Sequence, residues 1–247
     1  MSSLPAQTMR SLPPSAFELY PALQDMYGYA IGQHEDNLLI FGGSIRSDVP
    51  EQYVEDFPNQ EILLLDMASQ RAVAFAVGNL EGLLAEQAGA TGMAFSQVGN
   101  TLYLLGGYGY SESKGEFITF PFLTAIELDA AVEALLAGKT PKAFFYQLSD
   151  ERLAIFDGIM DYNGDEFFLV GGRFAFKLRP FSSQPDYFED GRHGEAHAFR
   201  LEGKGRSLRL AEFTTWYNLE DFRDYYGPLL PEAIEDELRR LLPKQAQ

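Results

Sequence analysis

Three stretches of the chain share one order of apolar and polar positions. Tyr29 to Gly43 reads YAIGQHEDNLLIFGG, Met93 to Gly107 reads MAFSQVGNTLYLLGG, and Gly158 to Gly172 reads GIMDYNGDEFFLVGG. They align without a gap, and Gly43, Gly107 and Gly172 recur at intervals of 64 and 65 residues. In each stretch a short strand meets a polar turn: Glu35-Asp36, Gly99-Asn100 and Asn163-Gly164-Asp165. Gly-Asn and Asn-Gly pairs between apolar runs are strong hairpin signals. Leu38 to Phe41, Leu102 to Leu105 and Phe167 to Val170 then give four apolar residues in a row. Such runs predict strands covered on both faces, with Leu39, Leu104 and Leu169 fully enclosed. Gly42-Gly43, Gly106-Gly107 and Gly171-Gly172 end the strands, where glycine permits a positive φ and a close backbone approach.

A second hairpin follows in each repeat. Glu61 to Asp66 turns back into Arg71 to Ala76, and Glu195 to Leu201 turns at Gly203-Lys204-Gly205 into Ser207 to Thr214. In the middle repeat a helix intervenes between Thr124 to Leu128 and Ala143 to Gln147, with Asp129 as N-cap and Gly138 past its end. The chain therefore reads as all-β, with four-stranded units over about 27–77, 91–147 and 155–214. Residues 1–15 read as a flexible N-terminus. Ala16 to Tyr20 (AFELY) matches Ala143 to Gln147 (AFFYQ) in pattern and reads as an extra strand. In the C-terminal extension, 216–247, Pro231 to Leu242 predicts an amphipathic helix with Ile234, Leu238, Leu241 and Leu242 on one stripe. That stripe packs on the chain's own strands or on a partner.

A Gly-Gly pair closing an apolar strand in a four-stranded repeat resembles the kelch family. LYLLGGYGYS, FFLVGGRF and FRLEGKGRSLRLAEF look like kelch-repeat proteins of bacteria of the Bacteroidetes group, most of them of unknown function. The resemblance covers roughly residues 16 to 215 and implies a β-propeller, each repeat one blade. The chain departs from the family in lacking a Trp in the outer part of each repeat; its single Trp is Trp216. Three blades are also fewer than a ring requires. Two explanations follow: a half-ring that a homodimer closes into six blades, or a chain whose missing blades lie beyond Gln247. Both rest on two apolar sheet faces left bare.

Composition narrows the partners. The formal net charge of −17 disfavours nucleic acid and anionic membrane surfaces. The absence of cysteine excludes disulfides, thiolate metal sites and cysteine nucleophiles, and with them the Cys–Tyr chemistry of galactose oxidase, a protein of similar fold. No apolar run approaches a membrane span. Met1 to Pro14 has no signal-peptide core as written; a chain from which one was removed would be periplasmic or secreted, and otherwise cytoplasmic.

No nucleophile, phosphate-loop or zinc-protease motif is present, and no cofactor is expected. Asp161 to Asp165 mimics the start of a calcium loop but aligns with ordinary hairpin turns. His193 and His197, near Asp186, Glu189 and Asp190, could ligate a metal; solvated loop acids are the simpler reading, so no metal is expected. The connections after Gly43, Gly107 and Gly172 are long, and strand alternation puts them on one face, where binding residues concentrate. They carry the candidate ligand-binding residues Arg46, Tyr53, Tyr108, Tyr110, Arg173, Tyr187 and Arg192, with Phe120, Phe181 and His193 beside them. The expected function is a non-enzymatic binding or scaffold module for a protein or glycan. Two alternatives stand beside it. One is a sugar-active enzyme similar to the kelch-type sialic-acid mutarotases, with Arg46 or Arg173 on the sugar carboxylate. The other is a purely structural half-ring.

Overall fold

A computed structural model describes residues 8–46, 57–176, 188–190 and 195–242. The chain enters through a helix, α1 (Pro14–Leu19), and a 3₁₀ turn at Pro21–Asp25. The first repeat contains β1 (Met26–His34), β2 (Asn37–Ile45), the short β3 (Phe57–Pro58), β4 (Glu61–Asp66) and β5 (Arg71–Ala76). Helix α2 (Gly82–Ala88) leads to the second: β6 (Ala94–Val98), β7 (Thr101–Leu105), β8 (Tyr108–Ser111), β9 (Glu116–Thr119) and β10 (Phe122–Glu127), then α3 (Leu128–Leu136) and β11 (Phe145–Ser149). The third contains β12 (Ile159–Tyr162), β13 (Phe167–Val170), β14 (Phe174–Phe176), β15 (Phe188–Asp190), β16 (Ala196–Glu202) and β17 (Arg209–Trp216). Helices α4 (Leu219–Tyr226) and α5 (Glu232–Leu241) follow.

Each repeat folds as one antiparallel meander. The sheet orders are β1-β2-β4-β5, β6-β7-β10-β11 and β12-β13-β16-β17, with β3 paired on β2. The polar turns sit where the pattern placed them. Asn163 Oδ1 accepts the amides of Asp165 and Glu166, so the calcium-like segment is a hairpin turn. The helix of the second repeat begins slightly earlier than expected: Glu127 is its N-cap, while the Asp129 carboxylate lies in the first turn and accepts the Ala130 amide.

The sheets stack face to face. Leu39, Phe41, Ile62 and Leu64 of the first sheet meet Leu102, Leu104 and Ile126 of the second, with α3 filling the space beside them. Leu105 and Leu123 of the second meet Met160, Phe167, Leu169 and Phe199 of the third. Leu39, Leu104 and Leu169 are buried as their runs required.

Three expectations are corrected. Ala16 to Leu19 is helical, with Tyr20 as the C-cap: Pro14 begins α1 at a φ that proline already holds. Residues 8–15 are anchored, since Thr8 and Leu12 are buried. The two outer sheet faces are covered. Leu12, Ala16 and Leu23 lie on Ile31, Leu38, Ile40, Leu63 and Leu65 of the first sheet. Leu219, Phe222 and Tyr226 of α4 and Ile234 and Leu238 of α5 lie on Phe168, Val170, Ala196 and Ala198 of the third. The α5 stripe thus packs on the chain's own strands. The faces whose exposure suggested closure by a second copy are therefore covered within the chain.

Backbone hydrogen bonds join the layers at the glycine pairs. Gly43 N donates to Ala90 O at 3.0 Å and Gly107 N to Ile155 O at 3.0 Å. Gly42 and Gly106 hold φ of +61° and +65°, and a β-carbon on either would overlap those same carbonyl oxygens. At the equivalent Gly171 the neighbour is instead Leu241 Cδ1 of α5, 3.2 Å from a β-carbon position. Helix α5 therefore stands where the next repeat would begin.

Three substitutions separate these effects by urea denaturation. Leu104→Ala should lose about 2–5 kcal/mol through the cavity it leaves. Gly106→Ala should be far more destabilising than Gly164→Ala, since Gly164 also has a positive φ but nothing within 4 Å of its β-carbon position. Equal losses at the two glycines would show that the close approach to Ile155 does not matter.

Candidate functional site

The Gly-Gly pairs aim the chain at one end of the stack. The register of the first hairpin continues past them: Tyr27 pairs with Ser44, Thr91 with Tyr108, and Phe156 with Arg173. Ser44, Tyr108 and Arg173 thus occupy one repeat position, and Arg46 follows two residues after Ser44. Buried amides complete the glycine carbonyls there. Asn59 Nδ2 donates to Gly42 O at 3.1 Å, and Gln87 Nε2 to Gly106 O at 3.2 Å and Phe122 O at 3.0 Å.

Beyond this point the described parts of the long connections of the second and third repeats are strands. They form a fourth antiparallel sheet, β15-β14-β9-β8, joined across the repeats at Phe176 and Ile118. Period-two signals were too short there to be read: EFIT and FAF are single turns of alternation among polar residues.

The aromatic residues of this sheet touch. The ring centroids of Tyr108 and Phe117 are 5.9 Å apart, those of Tyr110 and Phe117 5.3 Å, and those of Tyr108 and Phe156 5.3 Å. The Arg173 guanidinium lies 4.9 Å from the Phe156 ring centroid and pairs with Asp157. Arg46 lies 5.7 Å from the ring of Tyr27, the residue equivalent to Phe156. Tyr110 is 47% exposed, enough to meet a ligand, and borders a cleft of about 260 Å³ between α2 and β8. Glu81, Glu86 and Glu112 also line the cleft. Glu86 accepts from Ser111 Oγ at 2.8 Å and so fixes the β8–β9 turn. A hydrogen bond from Lys142 holds the Glu81 carboxyl below the ordinary carboxylate range.

Four of the expected residues, Arg46, Tyr108, Tyr110 and Arg173, therefore lie at the strand ends beyond the glycine pairs. Tyr53, Tyr187 and Arg192, with Phe181, Asp186 and His193, lie outside the described residues. Phe120 is corrected: it is fully buried in the core between the first two sheets. His197 is buried in β16 with Nδ1 3.1 Å from Thr215 Oγ1, its cross-strand neighbour. Among the described residues no group of three metal-ligating side chains converges.

Asp157 was not picked out by the sequence pattern. Gly28, Gly92 and Asp157 are equivalent, with φ of +66°, +65° and +59°, and backbone bonds run from Gly92 N to Gly28 O and from Asp157 N to Gly92 O. The slot favours glycine, and only the third repeat fills it with a side chain, which pairs with Arg173. The signal was available in the aligned repeats as an Asp in a glycine column.

A second arrangement also went unread. Residues 8–10 bridge the edge strands β6 and β12. Gln97 N donates to Thr8 Oγ1 at 3.0 Å, Thr8 Oγ1 lies 3.3 Å from Ser96 Oγ, and Arg10 Nη2 donates to Met160 O at 2.6 Å. Arg10 also pairs with Asp161 at 3.2 Å and lies 5.8 Å from the Phe95 ring centroid.

No protein-family model matches the chain, and no curated protein matches it. Among the described residues no helix is long and apolar enough to cross a membrane.

The Asp157 slot has a direct test in equilibrium denaturation. Asp157→Gly should leave stability within about 1 kcal/mol, because the backbone strain relieved offsets the exposed ion pair. Asp157→Ala should lose about 1–2 kcal/mol, since it keeps the strain and loses the pair. Equal losses would place the ion pair above backbone conformation.

Proposed function

We propose that the chain is a kelch-type β-propeller segment acting as a non-enzymatic binding module. Its three repeats form a capped arc of blades, and the fourth sheet at one end meets a protein or glycan ligand. The observation that carries this reading is the grouping of Tyr108, Tyr110 and Arg173 around that sheet. Tyr110 is exposed beside a cleft, and Arg173 is held against an aromatic ring by a strained Asp. Tyrosine and arginine dominate the energetics of binding surfaces because each combines a large contact area with a polar end. A rigid stack below and longer inserts above is the usual division between scaffold and recognition surface.

The kelch assignment rests on the glycine-closed hairpins and their four-stranded repeats. The sugar-active alternative would place its ligand along the inner strands. Residues 8–10 lie across β6 and β12, the first strands of their sheets, which favours the insert face as the binding surface.

A glycan array and a pull-down with the full chain should yield a ligand that the combined variant Tyr108→Ala, Tyr110→Ala and Arg173→Ala no longer captures. Its melting temperature should stay within a few degrees of the parent. Capture that survives in this variant but is lost on changing the short turns at Asp36, Asn100 and Asn163 would put the binding surface at the opposite end.

A further inference from the structure

The segment from Thr8 to Leu12 is held by side chains in the manner of a bound peptide. It contributes Thr8 and Arg10, two residues apart, so in an extended segment both point the same way. Their partners belong to two different sheets. The Thr8 hydroxyl lies between Ser96 Oγ and the Gln97 amide, and the Arg10 guanidinium between Asp161, Met160 O and the Phe95 ring. Ser96 is fully buried and Gln97 nearly so.

The floor of this groove is braced without help from the segment. Gln33 N donates to Gln97 Oε1 at 2.8 Å, and Gln97 Nε2 returns to Gln33 O at 2.7 Å, locking β1 to β6. Ser96 Oγ donates to Asp161 Oδ1 at 3.4 Å and links β6 to β12. A preformed floor lowers the ordering cost of binding an extended segment.

We infer that the groove between β6 and β12, braced by β1, is a recognition site for an extended peptide of the pattern Thr-x-Arg, and that residues 8–12 are its internal occupant. The hydroxyl position selects a small side chain that can both donate and accept. The arginine position selects a planar cation, because a carboxylate, a carbonyl and an aromatic face surround it. A partner protein with such a basic segment would suit a chain of net charge −17. This site is separate from the insert face, and each can fail without the other. A tethered occupant competes at high effective concentration, so a partner's segment enters only when the internal one is released.

The test uses the full chain and a fluorescein-labelled peptide of residues 7–13, QTMRSLP. The double variant Thr8→Glu and Arg10→Glu places carboxylates against Asp161 and releases the internal segment. Fluorescence anisotropy should show the peptide binding this variant at least tenfold tighter than the parent chain. A peptide carrying Thr8→Val and Arg10→Gln should bind at least tenfold more weakly. As a measurement independent of the variant's folding, saturating peptide should speed amide hydrogen exchange at residues 8–12 of the parent chain. Equal binding of the two peptides overturns the proposal, as does unchanged exchange in the parent together with no binding by the variant. Energy transfer between differently labelled parent chains that the peptide abolishes would assign the groove to a second copy's segment, and overturns it too.

Discussion

The fold depends on how closely one repeat approaches the next at its glycine pairs. A hydrogen bond from Gly43 to Ala90, and its counterpart from Gly107 to Ile155, fixes each sheet to the chain entering the following one. The contact admits no β-carbon, because the first glycine of each pair lies directly on the accepted carbonyl. Neighbouring faces then meet in register, and the four-residue apolar runs become the floor of one layer and the roof of the next. Buried amides from Asn59 and Gln87 satisfy the remaining glycine carbonyls, so the tight approach strands no polar group.

The same position differs in the third repeat. There α5 comes to Gly171 with Leu241, where a carbonyl oxygen lies at Gly42 and Gly106. Its face of Ile234 and Leu238, with Phe222 and Tyr226 of α4, covers the last sheet. At the other end α1 and the turn after it cover the first sheet through Ala16 and Leu23. Repeat stacks need terminal units of this kind, with one apolar and one polar face. The acids and arginines of α5 pair along the helix, from Glu235 and Asp236 to Arg239 and from Glu237 to Arg240.

The repeated part was legible in the sequence because its signals are local and occur three times. The hairpin turns, the apolar runs and the glycine pairs each needed only a short window. The caps were harder. AFELY carries the pattern of AFFYQ, yet the first is the helix beginning at Pro14, while the second is a 3₁₀ turn at Lys142–Phe144 leading into β11. The insert sheet was missed because its strands are short and pair across repeats, which no local period reveals. At the candidate site, Tyr108, Tyr110 and Arg173 could be found from the loop lengths. The role of Asp157 needed the backbone angle, and that of Thr8 and Arg10 needed contacts across some 90 to 150 positions of sequence.

The outer faces of the first and third sheets are covered by α1 and by α4 and α5, so burying them needs no second copy of the chain. Static light scattering across a wide concentration range tests it most directly. The account predicts the mass of one chain throughout, with association appearing when Leu238→Asp and Leu241→Asp lift α5 from the third sheet. A parent chain that holds the mass of two at every concentration would contradict it, because covering these faces would then not suffice to keep copies apart.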